Sequence, residues 1–259
     1  MEREIILKAS QISKYYGGVR AVDEVSLTLN KGERVGLIGP NGAGKSTLFN
    51  LLSGAIQPTK GTIEIKGQPL TDKKPEEFSL SGVARTFQNI RLFKGMTVLE
   101  NVIAGLHRQA DTGLLKCIFG SSGYRATEKR IKEKASELLN DFALYDQRDR
   151  QAVHLSYGDQ RRLEIVRALA TEPQILFLDE PAAGMNPQES HELVDLIEQV
   201  WEKHQLTVFL IEHDMDVIMR LCEHIYVLDY GKLLFDGTPE EVRQSAVVRE
   251  AYLGGEVHA

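Results

Sequence analysis

The sequence predicts an α/β fold: an α/β core with an N-terminal antiparallel β subdomain and an inserted helical subdomain. Three observations lead there. The first is Gly39-Pro40-Asn41-Gly42-Ala43-Gly44-Lys45-Ser46-Thr47, which fits G-x-x-x-x-G-K-[ST] between a short apolar strand pattern (33–38) and a helix pattern (47–53). The second is a pair of apolar runs, 175–178 and 206–211, that end in polar residues: Asp179-Glu180 after one, Glu212-His213-Asp214 after the other. The third is alternation early in the chain. Val22, Val25, Leu27 and Leu29, then Ile63 and Ile65, read as half-exposed strands joined by hairpins.

The first motif carries the strongest chemistry. Its glycines let the backbone turn tightly with N–H groups pointing inward. Those groups and the positive end of the following helix form an anion cradle. Lys45 would reach the β- and γ-phosphates of a nucleoside triphosphate, and the Ser46 hydroxyl would ligate Mg²⁺. Gly39, Pro40, Asn41, Gly42, Ala43, Gly44, Lys45, Ser46 and Thr47 are the candidate nucleotide-binding residues.

The bulk properties narrow the setting. A chain of 259 residues supports a real core. The formal net charge of −6 gives no basic field for nucleic acid, so none is expected as a partner. Cys117 and Cys222 lack metal-ligand spacing and read as reduced thiols of a cytosolic compartment. Met1-Glu2-Arg3-Glu4 has no signal-peptide shape, and no apolar run approaches the roughly 18 residues of a membrane span. Work at a membrane would therefore need a partner.

Taken in order, Ile5 to Leu7 and Ile12 predict the first strand, and 14–18 a turn with two aromatics. Gln57-Pro58-Thr59-Lys60-Gly61 breaks the chain before the strand at 62–67. Gln88 sits between apolar stretches, and Thr97 with Glu100 forms a capping box for a helix. The Gly- and Ser-rich 113–124 reads as an irregular insertion. Residues 127–142 form an amphipathic helix with Ile131, Ala135, Leu138, Leu139 and Phe142 on one face and a Glu128–Lys132 pair on the other. Ser156 caps the next helix, with Asp159 as its box partner. The helix-rich stretch, approximately 90–170, is the inserted subdomain of a single domain spanning 1–259.

Asp179 and Glu180 end a buried strand where ligands bind parallel sheets. Asp179 can hold Mg²⁺ through water, and Glu180 can act as general base on an attacking water. His213, at the matching end of the next strand, is placed to contact the γ-phosphate. The helix at 189–204 packs Leu193, Leu196, Ile197, Val200 and Trp201 inward. A hairpin turns at Tyr230-Gly231, and Thr238-Pro239-Glu240-Glu241 opens a capped helix.

The ordered set of phosphate loop, Gln88, Leu155-Ser156-Tyr157-Gly158, Asp179-Glu180 and His213 resembles the ATP-binding subunits of ATP-binding-cassette (ABC) transporters over essentially the full length. The resemblance implies roles. Tyr16 matches the aromatic that stacks on adenine. Ser46 and Gln88 match the ligands of Mg²⁺ and water. Ser156 and Gly158 match the signature that touches the γ-phosphate of the opposite subunit. Glu180 matches the general base and His213 the switch histidine. Tyr157, Asp159 and Asn186 depart from the usual Gly, Gln and Asp.

Within the family, Arg85-Thr86-Phe87-Gln88 with Arg91-Leu92-Phe93, Leu-Ser-Tyr-Gly-x-Gln-Arg-Arg-Leu-Glu, Pro181-Ala182-Ala183-Gly184-Met185-Asn186-Pro187 and Ala251-Tyr252-Leu253-Gly254 are similar to the branched-chain amino acid importers. The insertion at 113–124 is also similar to that group. That resemblance implies ATP and Mg²⁺ as cofactors and ATP hydrolysis that powers transport. It implies a head-to-tail dimer with a related, non-identical second cassette ATPase, two membrane permeases, an extracytoplasmic amino-acid-binding protein, and a place on the cytoplasmic face of the membrane. Cassettes of urea importers or lipopolysaccharide exporters are the near alternatives, and a soluble cassette ATPase acting on ribosomes or DNA the distant one. A phosphate-loop kinase would lack the Leu-Ser-Tyr-Gly signature and His213.

Overall fold

A computed structural model describes residues 3–107 and 122–254. Two sheets organise them. The first has strand order β2-β1-β4-β5 and is antiparallel throughout: β1 (Ile5–Tyr16), β2 (Val19–Asn30), β4 (Lys60–Ile65) and β5 (Gln68–Pro69). The second has the order β10-β9-β3-β8-β7-β6. It comprises β3 (Arg34–Ile38), β6 (Val83–Arg85), β7 (Ile175–Asp179), β8 (Thr207–Ile211), β9 (His224–Asp229) and β10 (Lys232–Gly237). All its neighbours are parallel except the β9–β10 hairpin.

The second sheet divides two cores, which explains why its central strands β3, β7 and β8 read as continuous apolar runs rather than alternations. Leu176, Leu178, Val208, Leu210, Ile225 and Val227 face one core. Their neighbours Ile175, Phe177, Phe209, Ile211, Tyr226 and Leu228 face the other, which the antiparallel sheet covers. In that second core Phe49, on helix α1 (Lys45–Leu52), meets Phe177 edge-on with ring centroids 5.3 Å apart; Phe177 and Phe209 lie 5.4 Å apart. These rings seat α1, and with it the phosphate loop, against β7 and β8.

The first core is helical. Helix α2 (Pro75–Leu80) precedes β6; α3 (Val98–His107), α4 (Ser122–Asp141) and α5 (Tyr157–Leu169) pack together beyond it. The stripe Ile131, Ala135, Leu138 and Leu139 on α4, with Phe142 just beyond, is buried as its spacing requires. The α3 capping box forms, Glu100 N donating to Thr97 Oγ1 at 3.2 Å and Thr97 N to Glu100 Oε2 at 2.8 Å. Helices α6 (Pro187–His204), α7 (Met215–Leu221), α8 (Pro239–Gln244) and α9 (Ala246–Gly254) complete the chain. Trp201 on α6 donates to Gly32 O at 3.0 Å, and the Arg34 guanidinium stacks 4.0 Å from its ring. Thr238 caps α8 with Glu241 as its box partner. Among the described residues no helix is long and apolar enough to cross a membrane.

Four local expectations need correction. The turn expected at 14–18 is confined to Gly17 and Gly18, because Lys14, Tyr15 and Tyr16 continue β1 and pair with Val22, Arg20 and Val19. Helix α4 starts at Ser122, so the irregular reading fails for 122–124; residues 113–121 and Cys117 lie outside the described residues. The Glu128 carboxylate lies 3.6 Å from His107 on α3, and the neighbouring intrahelical pair is Lys129–Glu133 at 3.7 Å. Ser156 Oγ accepts from Asp159 N at 3.1 Å, but the Asp159 carboxylate is taken by Gln147 Nε2 at 3.0 Å instead of closing a capping box.

Asn186 has a physical reason. Its side chain accepts from Glu189 N at 3.0 Å while Glu189 Oε2 accepts from Asn186 N at 3.0 Å, capping α6. Asn and Asp cap almost equally well. Asn186→Asp is expected to leave thermal stability within measurement error, and Asn186→Ala to cost about 1 kcal/mol. Melting curves of the two variants check this.

Candidate functional site

The parallel strands β3, β6, β7 and β8 end at one sheet edge. Leu37 and Asp179 both pair with Ile211, so the residues that follow emerge at the same level. From β3 comes the loop 39–44; from β7, Glu180; from β8, Glu212 and His213. Gln88 follows β6 by three residues. Ligands of such sheets bind at this edge, where loops diverge and backbone groups are unpaired.

Glycine is required in the loop at two points. Gly39 lies at φ +152, and a Cβ there would stand 2.0 Å from Leu228 O; Gly44 lies at φ +99, and a Cβ would stand 2.1 Å from Ala21 O. The loop is braced from outside: Gly231 N donates to Ala43 O and Asp23 N to Gly231 O, each at 2.8 Å. Lys45 opens α1 and is only 7% exposed. Its Nζ folds back over the loop, donating to Gly39 O at 2.7 Å and Pro40 O at 2.9 Å. Burial holds its ammonium below the ordinary lysine value, with the Glu180 charge opposing. A buried cation satisfied by its own loop's carbonyls fits an anionic ligand that would take it over. Asn41, Gly42 and Ser46 are exposed, while Pro40 and Thr47 are partly buried.

Glu180 is bracketed. His213 Nε2 lies 2.6 Å from Glu180 Oε1, and Gln88 Nε2 donates to Glu180 Oε2 at 3.3 Å. Its backbone sits at φ 48, the left-handed region that a non-glycine residue occupies at a cost of about 1 kcal/mol or more. The amide is fixed to Ile211 O at 3.0 Å. Thus three sequence-predicted residues, Gln88, Glu180 and His213, meet at one carboxylate.

Asp179 is held separately. Its N–H donates to Thr86 Oγ1 at 3.1 Å, and its carboxylate lies 3.6 Å from Arg85 Nη2. Burial pushes the Asp179 carboxyl up, against the pull of Arg85. Arg85 also donates to Asn50 Oδ1 on α1 at 2.8 Å and to Oγ of its C-cap Ser53 at 2.9 Å, tying β6, β7 and α1 together. Buried Glu212 accepts from Ala182 N at 2.7 Å and His213 N at 3.2 Å, bracing the loops that carry Glu180 and His213. Its burial raises its carboxyl, and those amides counter it.

The other sequence-predicted residues stand apart. Tyr16 is 52% exposed at the tip of the β1–β2 hairpin, with Lys14 Nζ 5.5 Å from its ring. That hairpin reaches the phosphate loop through Ala21. Ser156 is exposed at the cap of α5. A Cβ on Gly158 would look toward Met185 and Glu189, each 4.0 Å away, and the Tyr157 ring borders Gly184. Sequence reasoning missed the functional weight of Arg85, Glu212, Arg161 and Glu164. The sequence signal was only that all four sit inside stretches singled out for other residues.

A glycine-defined cradle with a buried lysine at the mouth of a parallel sheet makes this a phosphate-loop nucleotide-binding protein. Comparison with known proteins narrows the class. The family model described as "ABC transporter" matches residues 22–183, and the chain belongs to that family. A second model, "Branched-chain amino acid ATP-binding cassette transporter", matches residues 232–258. The chain is 45% identical, over 96% of its length and 98% of the relative's, to the high-affinity branched-chain amino acid transport ATP-binding protein LivG of Salmonella typhimurium. It is 44% identical, over the same shares, to the corresponding protein BraF of Pseudomonas aeruginosa. Among solved structures it is similar to the ADP conformation of an ATP-binding cassette of an ABC transporter, with a TM-score of 0.83 and 34% identity over 96% of this chain and 99% of that one. A dimeric cassette in a post-hydrolysis state bound to ADP and Pi matches with a TM-score of 0.77 and 26% identity, over 90% and 99%.

Proposed function

We propose that this chain binds and hydrolyses ATP to power an importer of branched-chain amino acids. The observation that carries hydrolysis is the bracketing of Glu180 by Gln88 and His213 beside the phosphate loop. The substrate reading rests on the C-terminal match at 232–258 and the full-length likeness to LivG and BraF.

The residues divide the work. The amides of 39–44, Lys45 and Thr47 hold the phosphates, and Tyr16 stacks on adenine. Glu180 takes the proton from the attacking water; His213 and Gln88 orient it and the γ-phosphate. Ser46, Gln88 and Asp179 would hold Mg²⁺. One hydroxyl, one amide oxygen and one carboxylate suit a hard cation that keeps water and takes its other ligands from phosphates. Gln88 spends its Nε2 on Glu180, which leaves its carbonyl oxygen to turn to the cation. When bound, that cation neutralises charge on the transferring phosphoryl group.

Ser156 and Gly158 serve a second site. Ser156 caps α5 and Gly158 lies in its first turn, in the helical subdomain, approximately 90–170, and in a head-to-tail dimer they cover the ATP of a related, non-identical cassette. ATP then joins the two subunits, and hydrolysis releases them. The permease docks beside Gln88 and Arg91-Leu92-Phe93. A groove of ≈ 520 Å³ opens there, lined by Phe87, Phe93, Ala104, Gly105 and Arg167 among others. Two such permeases and an extracytoplasmic amino-acid-binding protein complete the importer, with this chain on the cytoplasmic face of the membrane.

Copurification tests the assembly. The tagged Glu180→Gln chain, purified with ATP from solubilised native membranes, is expected to bring two hydrophobic permeases and a second cassette ATPase. Recovery of ribosomal or DNA-bound proteins without a permease would overturn the transport reading.

A further inference from the structure

We propose that Arg161 and Glu164 are positioning residues that fasten Gln88 to the signature helix, so that movement of α5 is read at this subunit's own catalytic centre. The pair lies five and eight residues beyond Ser156 on α5 and is fully buried, at 0% and 1% exposure. Arg161 Nη1 donates to Phe87 O at 2.7 Å and Nη2 to Gln88 O at 2.9 Å. Glu164 Oε2 accepts from Arg161 Nη1 at 3.0 Å, and Glu164 Oε1 accepts from Arg91 N at 3.1 Å. One ion pair thus grips the Gln88 loop on both sides of Gln88, through backbone atoms alone.

Stability is a poor reason for this arrangement. A buried ion pair costs about as much desolvation as its attraction returns. Here the accounting is worse, because Arg161 Nε is buried with no acceptor among the described residues. What the pair does supply is geometry. A planar guanidinium holds the two successive carbonyls from two separate nitrogens in a fixed fork, and keeps Nη1 on Glu164 as well, a geometry that the single nitrogen of a lysine does not reproduce. The Gln88 side chain then reaches Glu180 Oε2 at 3.3 Å. A continuous path therefore runs from the Ser156 cap along α5 through Arg161 to Gln88 and Glu180. Because α5 is a rigid helix, a displacement of its N-terminus moves the Gln88 backbone with it.

This inference rests on the proposed role of Gln88 toward Mg²⁺-ATP, and the test separates the two. ATP binding to the full-length chain is titrated with Mg²⁺ and with EDTA, for the parent, Arg161→Lys, Gln88→Ala and the double variant. Melting curves confirm folding, and Glu164→Gln, which keeps an acceptor for Arg91 N, serves as a second probe if Arg161→Lys melts early. Affinity in EDTA is expected to stay within about twofold, because the pair does not touch the phosphate loop. The tightening conferred by Mg²⁺ is expected to fall roughly tenfold in Arg161→Lys and in Gln88→Ala, with no further loss in the double variant. Hydrogen exchange at the Arg91 amide, which donates to Glu164, should rise in Arg161→Lys. An Arg161→Lys or Glu164→Gln chain that folds and keeps full Mg²⁺ tightening would overturn the coupling, as would losses that multiply in the double variant. If Gln88→Ala alone changes nothing, the role of Gln88 falls and the coupling falls with it.

Discussion

Glu180→Gln is expected to lower ATP turnover by about 10²–10⁴-fold while leaving ATP affinity nearly unchanged. The substitution keeps the shape of the side chain and removes its basicity. Gln88 Nε2 can still donate to the remaining carbonyl oxygen, and the new amide NH2 then faces His213 Nε2, which accepts from it as the neutral tautomer with the proton on Nδ1. The left-handed backbone at φ 48 and the bond to Ile211 O do not involve the side chain. Binding therefore survives and proton removal fails. With its partner cassette present, the variant should hold ATP and keep the two subunits joined. Steady-state turnover beside equilibrium ATP binding checks this, and near-normal turnover would remove Glu180 from the general-base role.

Lys45→Ala is expected to act on the other quantity, weakening ATP binding by roughly 10- to 100-fold, in line with the loss of charged hydrogen bonds to phosphate. Its ammonium is buried and already aimed into the loop by Gly39 O and Pro40 O. Removing it leaves two carbonyls facing the phosphates where a cation stood. The fold should persist, because the Phe49–Phe177–Phe209 cluster that seats α1 is left in place. Titration of ATP against both chains, with melting curves as control, distinguishes lost binding from lost structure.

The contrast between these variants shows what a sequence makes visible. The phosphate loop was legible because its glycines are demanded by backbone geometry: a Cβ at Gly39 or Gly44 would strike a carbonyl oxygen. Glu180 and His213 were legible because each follows an apolar run, and the parallel sheet carries both runs to one edge. β3, β7 and β8 were legible as buried strands because both of their faces are covered, whereas β6, only three residues long, carries too little pattern to be read as a strand. The end of β1 was not, since Tyr15 and Tyr16 look alike in a turn and in a twisted hairpin.

Arg161 and Glu164 escaped for a different reason. On a helix, charges spaced by three read as a solvated pair, and nothing local distinguishes that from a pair closed over by a loop seventy residues upstream. Glu212 likewise reads as the polar end of a strand, yet its carboxylate is buried under the Ala182 and His213 amides. Arg85 sat in a recognised stretch, but its bridge from Asp179 to Asn50 and Ser53 depends on contacts between distant segments. Burial of charge is a tertiary property, and in this chain it is where the site's supports are hidden.

Uptake of labelled leucine, isoleucine and valine, in cells lacking this chain and supplied with either the parent or Glu180→Gln, tests the central claim most directly. The parent is expected to restore saturable uptake of all three, and Glu180→Gln to restore none despite equal expression. Uptake that is indifferent to the chain, or equally restored by the Glu180→Gln variant, would contradict the claim that ATP hydrolysis at Glu180 drives branched-chain amino acid import.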